Sequence, residues 1–187
     1  MKRFVIVVLF VVASFMMAAC ASQRTQTAFT PVDLNPKLQS GQYVQKVDAF
    51  LIINDVSLTM LENYKGYQKL DIALDTISKI NQTIPNLKLD AGLRIFGHIE
   101  SFNMNSTRLN YGMVTYTKDG LDKSLDDLGR RGGLSPLEMA IDSASADDLK
   151  NQRGRIAVIV VSDGEDMGAT QVQAAQNMKS KFGDRLC

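Results

Sequence analysis

The sequence predicts an α/β domain, a doubly wound and mostly parallel sheet with helices on both faces. Three observations predict it. After residue 47, short apolar runs rich in β-branched residues alternate with stretches of helical period. One run, Ile156-Ala-Val-Ile-Val-Val161, is apolar throughout, as a central parallel strand buried on both faces should be. Hydroxyls, carboxylates and glycines follow the strands, where open α/β sheets place their ligands.

The chain opens on an address. Lys2 and Arg3 precede an unbroken apolar run, Phe4 to Ala13, which resumes after Ser14 and reaches Ala19. Residues 1–19 match a secretory signal peptide. Met17-Ala18-Ala19-Cys20 resembles a bacterial lipobox, in which the cysteine becomes the lipidated first residue. The alternative is an uncleaved helix, since 18 residues from Phe4 to Ala21 meet the lower limit for a membrane span. Plain secretion would leave Cys20 without a purpose. Residues 20–46 read as a lipidated N-terminus and polar tether, without sustained period. Phe29, Val32 and Leu34 could dock on the domain, and the sequence does not decide.

The domain occupies 47–187. Val47–Asn54 reads as a buried strand. Tyr67, Leu70, Leu74, Ile77, Ile80 and Ile84 then mark an amphipathic helix stopped by Pro85. Leu87–Phe96, ended by Gly97, and Arg108–Thr117 are further strands. Leu121–Leu128 is a short helix closed by Gly129. Ser135-Pro136-Leu137-Glu138 opens another, with Ser as N-cap and Glu at the third position; its core face is Leu137, Ala140, Ile141 and Ala144. Arg155–Ser162 is the strongest strand. Val172, Ala175, Met178 and Phe182 form a last helix, stopped by Gly183.

Composition narrows the function. Apolar residues make up 45% and the net charge is +1, which excludes disorder throughout. Balanced charge, 21 basic against 20 acidic residues, argues against nucleic acid as a partner. Two cysteines and one histidine exclude a disulfide framework and a Cys/His zinc cluster.

Three segments converge on the predicted ligand crevice. Asp55-Val-Ser57-Leu-Thr59 follows the first strand. Alone it is weak, because such a pattern arises by chance in about one chain of this length in ten, and an Asx turn explains it. Ser135 is equally explained by a cap, and Asp163-Gly164 by a turn. Together, Asp55, Ser57, Thr59, Ser135 and Asp163 form an all-oxygen donor set with two charges. That set suits Mg²⁺ or Mn²⁺ with retained waters better than a carboxylate-rich Ca²⁺ cage.

From about residue 47 the chain resembles a von Willebrand factor type A domain. The resemblance rests on Asp55-Val-Ser57-Leu-Thr59, Gly132-Gly133-Leu134-Ser135-Pro136-Leu137 and Val160-Val161-Ser162-Asp163-Gly164, in that order. Thr59 stands where the family has a second Ser, and Ser135 where it has Thr; both keep the hydroxyl. The resemblance implies a metal-ion-dependent adhesion site. Ser57, Thr59 and Ser135 would touch the metal, and Asp55 and Asp163 would hold its waters. It also implies strand order 3-2-1-4-5-6 with the third strand antiparallel, and two further strands with a final helix after Cys187. The domain is therefore expected to be truncated before its fifth strand, leaving Ile156–Val161 as an open apolar edge. The resemblance to such lipoproteins also implies a peptidoglycan-binding domain of the outer-membrane-protein-A type following the chain, with peptidoglycan as a further expected partner.

The expected function is that of a non-enzymatic binding module, lipid-anchored through Cys20 in the bacterial cell envelope. Ala21 hints at the outer membrane. Its cation would bind an acidic side chain of a protein partner. The alternatives are a metal-assisted hydrolase or phosphatase using the same cation, and a structural envelope lipoprotein with a degenerate site. No base–nucleophile pair is visible. His98 reads as a surface or loop histidine. Arg130-Arg131-Gly132-Gly133 reads as a solvated loop, and Glu165 and Asp166 as helix-start residues.

Overall fold

The computed structural model describes residues 28–165 and 167–187. The signal segment 1–19, the lipidation expectation at Cys20 and the reading of Asp166 lie outside the described residues.

Helix α1 (Asn35–Gln39) precedes β1 (Ala49–Asp55), and a 3₁₀ turn (Thr59–Leu61) leads into a hairpin of β2 (Asn63–Tyr64) and β3 (Tyr67–Gln68). Then follow α2 (Lys69–Thr83), β4 (Asp90–Glu100), β5 (Asn103–Thr115), α3 (Lys118–Ser124) and β6 (Arg130–Arg131). Helix α4 (Leu137–Ser143) is prolonged by a π turn (Ala144–Asp148), and β7 (Ile156–Val161) and α5 (Ala169–Phe182) close the domain.

The sheet runs β5-β4-β1-β7, with β1 parallel to both neighbours and β5 antiparallel at one edge. This is the α/β architecture expected from the sequence, in the implied order. All seven residues of β1 are buried, so it shows no polar alternation. Phe50 and Ile52 pack with Leu70, Leu74 and Ile77 of α2. Leu51 and Ile53 pack with Leu137, Ala140 and Ile141 of α4 and Met178 and Phe182 of α5. The sheet is thus covered on both faces. Asn54 lies opposite both Ile95 and Val161, so β1 and β7 end at one level beside β4.

Several local expectations change. Tyr67 lies in β3, not α2. Lys65 (φ 52°) and Gly66 (φ 89°) make the two-residue turn that pairs Tyr64 with Tyr67, and the helical spacing of Tyr67 is coincidental. Ser135 does not cap α4: Pro136 occupies the N-cap position, without a side-chain bond. In α5 the buried small residue is Ala174, and Ala175 is exposed; Ala174, Met178 and Phe182 are spaced by four. β7, whose apolar run reads as that of a central strand, stands at the edge also expected for it, half-buried at most positions, with only β1 pairing along its length. On its outer side Leu186 bridges Ile156, and Cys187 exchanges backbone bonds with Ile156 and Val158.

Residues 28–46 touch the domain. The Asn86 N–H donates to Asn35 Oδ1 (2.9 Å), Gln45 Nε2 donates to the Lys88 carbonyl (3.3 Å), and Lys79 Nζ lies 5.8 Å from the Phe29 ring centre. Leu34 is half-buried, while Phe29 and Val32 stay exposed. No helix among the described residues is long and apolar enough to cross a membrane.

Candidate metal centre

Asp55 ends β1 and is fully buried. Its Oδ1 accepts the Ser57 N–H at 2.9 Å, an Asx turn that reverses the chain. Its Oδ2 accepts the Ser162 hydroxyl at 2.9 Å, and the Ser162 Oγ in turn accepts the Gly164 N–H at 3.0 Å. One carboxylate therefore ties the loop after β1 to the loop after β7. The Ser57 and Thr59 hydroxyls lie 3.3 Å apart. Asp163 Oδ1 accepts the Glu165 N–H at 3.3 Å, and its Oδ2 is 3.0 Å from Lys69 Nζ.

The third loop arrives through its backbone. The Gly132 N–H donates to the Val56 carbonyl (3.0 Å), the Leu58 N–H to Gly133 (2.9 Å), and the Gly133 N–H to Gly97 (2.8 Å). Two glycines permit this approach. Gly97 has φ +79°, and a Cβ there would stand 2.6 Å from the Leu134 carbonyl oxygen and 2.7 Å from Ser57 Cβ. A Cβ on Gly133 would stand 2.5 Å from the Met104 carbonyl oxygen. The glycine read as a strand end is thus the spacer on which two site loops rest; β4 continues through it to Glu100.

The two carboxylates respond oppositely to this environment. Burial dominates at Asp55 and pushes its pKa up. Hydrogen bonds from Ser57 and Ser162 only partly offset that, and the Asp163 charge adds to it. Burial is also the largest single influence at Asp163, yet Lys69, the Glu165 N–H and the Thr59 hydroxyl together outweigh it and hold the carboxyl below the ordinary range. Lys69, bonded to Glu165, Glu62 and Asp163 in that order of influence, is held firmly protonated.

Of the five residues picked from the sequence, the structure brings Asp55, Ser57, Thr59 and Asp163 together. Ser135 is half-buried at the end of the third loop, and its hydroxyl is not hydrogen-bonded to the other four. Two residues were missed. Ser162 was legible within the Ser162-Asp163-Gly164 segment. Lys69 carries a weaker signal, a cation in the first turn of a helix, where the dipole disfavours it. Glu165 is no helix-start residue: α5 begins at Ala169, and Glu165 pairs with Lys69.

His98 is also corrected. It lies in β4, is 2% exposed, and has neither ring nitrogen hydrogen-bonded. Burial first, and the Arg108 charge second, lower its pKa. It belongs to the interior between β4 and its neighbours.

The donor set passes a geometric test for a small hard cation. Ligands at right angles on an octahedral ion at 2.0–2.1 Å lie about 3 Å apart, close to the 3.3 Å between the Ser57 and Thr59 hydroxyls. Among the described residues no three His, Cys, Asp or Glu side chains form a metal cluster, so a cation here would depend on these hydroxyls.

No protein-family model and no curated protein matches the chain. Solved structures do. BatB, a conserved hypothetical protein of Bacteroides thetaiotaomicron, is 21% identical over 73% of this chain and 62% of its own, with a TM-score of 0.56. An aerotolerance-related membrane protein of Bacteroides fragilis is 24% identical over 72% of this chain and 63% of its own, with a TM-score of 0.53. Proximal thread matrix protein 1 of the mussel byssus, in a structure with a zinc-occupied MIDAS motif, is 14% identical over 72% of this chain and 36% of its own, at a TM-score of 0.55. The fold is von Willebrand factor A-like. The chain spans less than two thirds of each of these proteins. In this von Willebrand factor A-like fold the loops after β1 and β7 and the loop before α4 form one end of the sheet, where the side chains above meet.

Proposed function

We propose that the chain is a non-enzymatic binding module that takes a divalent cation at Asp55, Ser57, Thr59, Ser135 and Asp163. The observation that carries this reading is the bridging of Asp55 to Ser57 and Ser162, which sets the Ser57 and Thr59 hydroxyls 3.3 Å apart beside Asp163. The zinc in the MIDAS motif of the mussel protein supports a cation on this fold. The oxygen-only donors favour Mg²⁺ or Mn²⁺.

In this reading Ser57 and Thr59 offer their oxygens directly, Ser135 completes the set from the third loop, and Asp55 and Asp163 hold waters. When bound, the cation supplies an open coordination position for an acidic side chain of a protein partner. The two carboxylates among the donors balance the two positive charges of the cation, so a further anionic ligand meets little repulsion from the donor set. The reading also holds the module at the bacterial envelope through lipid on Cys20.

Thermal unfolding of the purified chain tests the metal. A cation bound only by the folded state stabilises by about 2.7 kcal/mol at a hundred times its Kd. Mg²⁺ or Mn²⁺ is expected to raise the melting temperature, and Asp163→Ala to abolish the rise. No response in the parent chain, or an equal response in Asp163→Ala, overturns the proposal. Palmitate labelling in a bacterial host tests the anchor, and incorporation that survives Cys20→Ala contradicts it.

A further inference from the structure

We infer that Lys69 is a built-in counter-cation that holds down the metal affinity of this site. The inference rests on the metal reading above. Lys69 Nζ lies 2.9 Å from Glu62 Oε2 and 3.0 Å from Asp163 Oδ2, and it also contacts Glu165 Oε1. Neither Lys69 nor Asp163 is well exposed, at 18% and 12% of their side chains, so water screens their pair weakly. The Glu165 N–H holds the other oxygen of Asp163. Both oxygens of the carboxylate that would orient metal-bound water are therefore engaged within the chain.

The placement of Lys69 serves this contact and not the helix. It is the first residue of α2, where the helix dipole opposes a cation, and three carboxylates offset that opposition. Its backbone N–H also donates to the Glu62 carbonyl at 2.9 Å, so Glu62 and Lys69 close the β2–β3 hairpin by backbone and side chain together. Withdrawal from Asp163 would leave Lys69 on Glu62, still buttressing the hairpin. An ammonium and a divalent ion about 6 Å apart repel enough to weaken binding roughly tenfold, even at the dielectric constant of water. Removing the ammonium also frees Glu62 and Glu165 to attract the cation.

The experiment measures Mn²⁺ binding to the full chain by calorimetry and by the loss of free Mn²⁺ paramagnetic signal. Lys69→Met, similar in length and uncharged, is expected to lower the Mn²⁺ Kd about tenfold. Lys69→Arg keeps the charge and should keep the parent affinity. Melting of each variant without metal establishes that it is folded, and Lys69→Gln replaces Lys69→Met if the latter is not. Unchanged or weaker binding by the uncharged variant, with Mn²⁺ still bound by the parent, overturns this inference alone. Absence of Mn²⁺ binding in parent and variants alike overturns the metal reading and the inference with it.

Discussion

Asp55 and Asp163 pull stability in opposite directions with pH. The Asp55 pKa is raised in the fold, so its contribution is present below the unfolded value and lost as pH rises through the folded one. The Asp163 pKa is lowered, so its contribution is present above the unfolded value and lost as pH falls. Without metal, burial disfavours the Asp55 charge, and its hydrogen-bond partners Ser57 and Ser162 are neutral. Asp55→Asn is therefore expected to melt no lower than the parent in chelator and to lose the gain on adding Mn²⁺; a lower metal-free melting point would contradict this account. A second residue reports at the alkaline end. The Tyr116 hydroxyl donates to Asn81 Oδ1 at 2.6 Å, and burial, with the nearby Tyr111, pushes its pKa up to about 12. Stability present below pH 10 is then lost as pH rises toward 12. Tyr116→Phe should flatten that loss in urea titrations between about pH 9 and 11.5 while costing about 1 kcal/mol near neutrality.

The loops owe their meeting to backbone more than to side chains. Gly97→Ala would drive a methyl into the Leu134 carbonyl and Ser57 at a φ that L-residues rarely adopt. The substitution is expected to cost about 1–3 kcal/mol and to abolish Mn²⁺ binding although Gly97 offers no side-chain donor. Retained binding measured by calorimetry would show that the loops tolerate displacement. The sequence marked this glycine as punctuation, because a positive φ inside a strand and the end of a strand look alike in a one-dimensional pattern. The start of α4 shows a similar ambiguity. Ser135-Pro136-Leu137-Glu138 fits a capping box, yet the helix begins one residue later with Pro136 at the N-cap, which frees the Ser135 hydroxyl from a capping duty. Tyr67 fits the period of α2 but turns back in the hairpin, because Lys65-Gly66 makes the tighter turn.

Across the molecule, two ties join segments far apart in the sequence. Ser162 and Asp55, 107 residues apart, share a hydrogen bond. Arg94 on β4 clasps Asp148 of the π turn with Nε–Oδ2 at 2.6 Å and Nη2–Oδ1 at 2.7 Å, both groups being buried. Asp148→Ala leaves a buried guanidinium with only Thr107 as a side-chain partner and should cost about 3–5 kcal/mol. Replacing both partners by leucine should recover most of that loss in urea unfolding, and a double variant as weak as the single would show that the pair does more than satisfy itself. The order of residues alone settled the alternation of strands and helices, the apolar faces of β1 and α4, and the oxygen chemistry at the strand ends, because periodicity and motif spacing are local properties. Only tertiary packing decided that His98 is interior and that Lys69 reaches Asp163 across 94 residues. Those outcomes depend on which segments become neighbours, and an ion pair between two loops imposes no period on the chain that joins them.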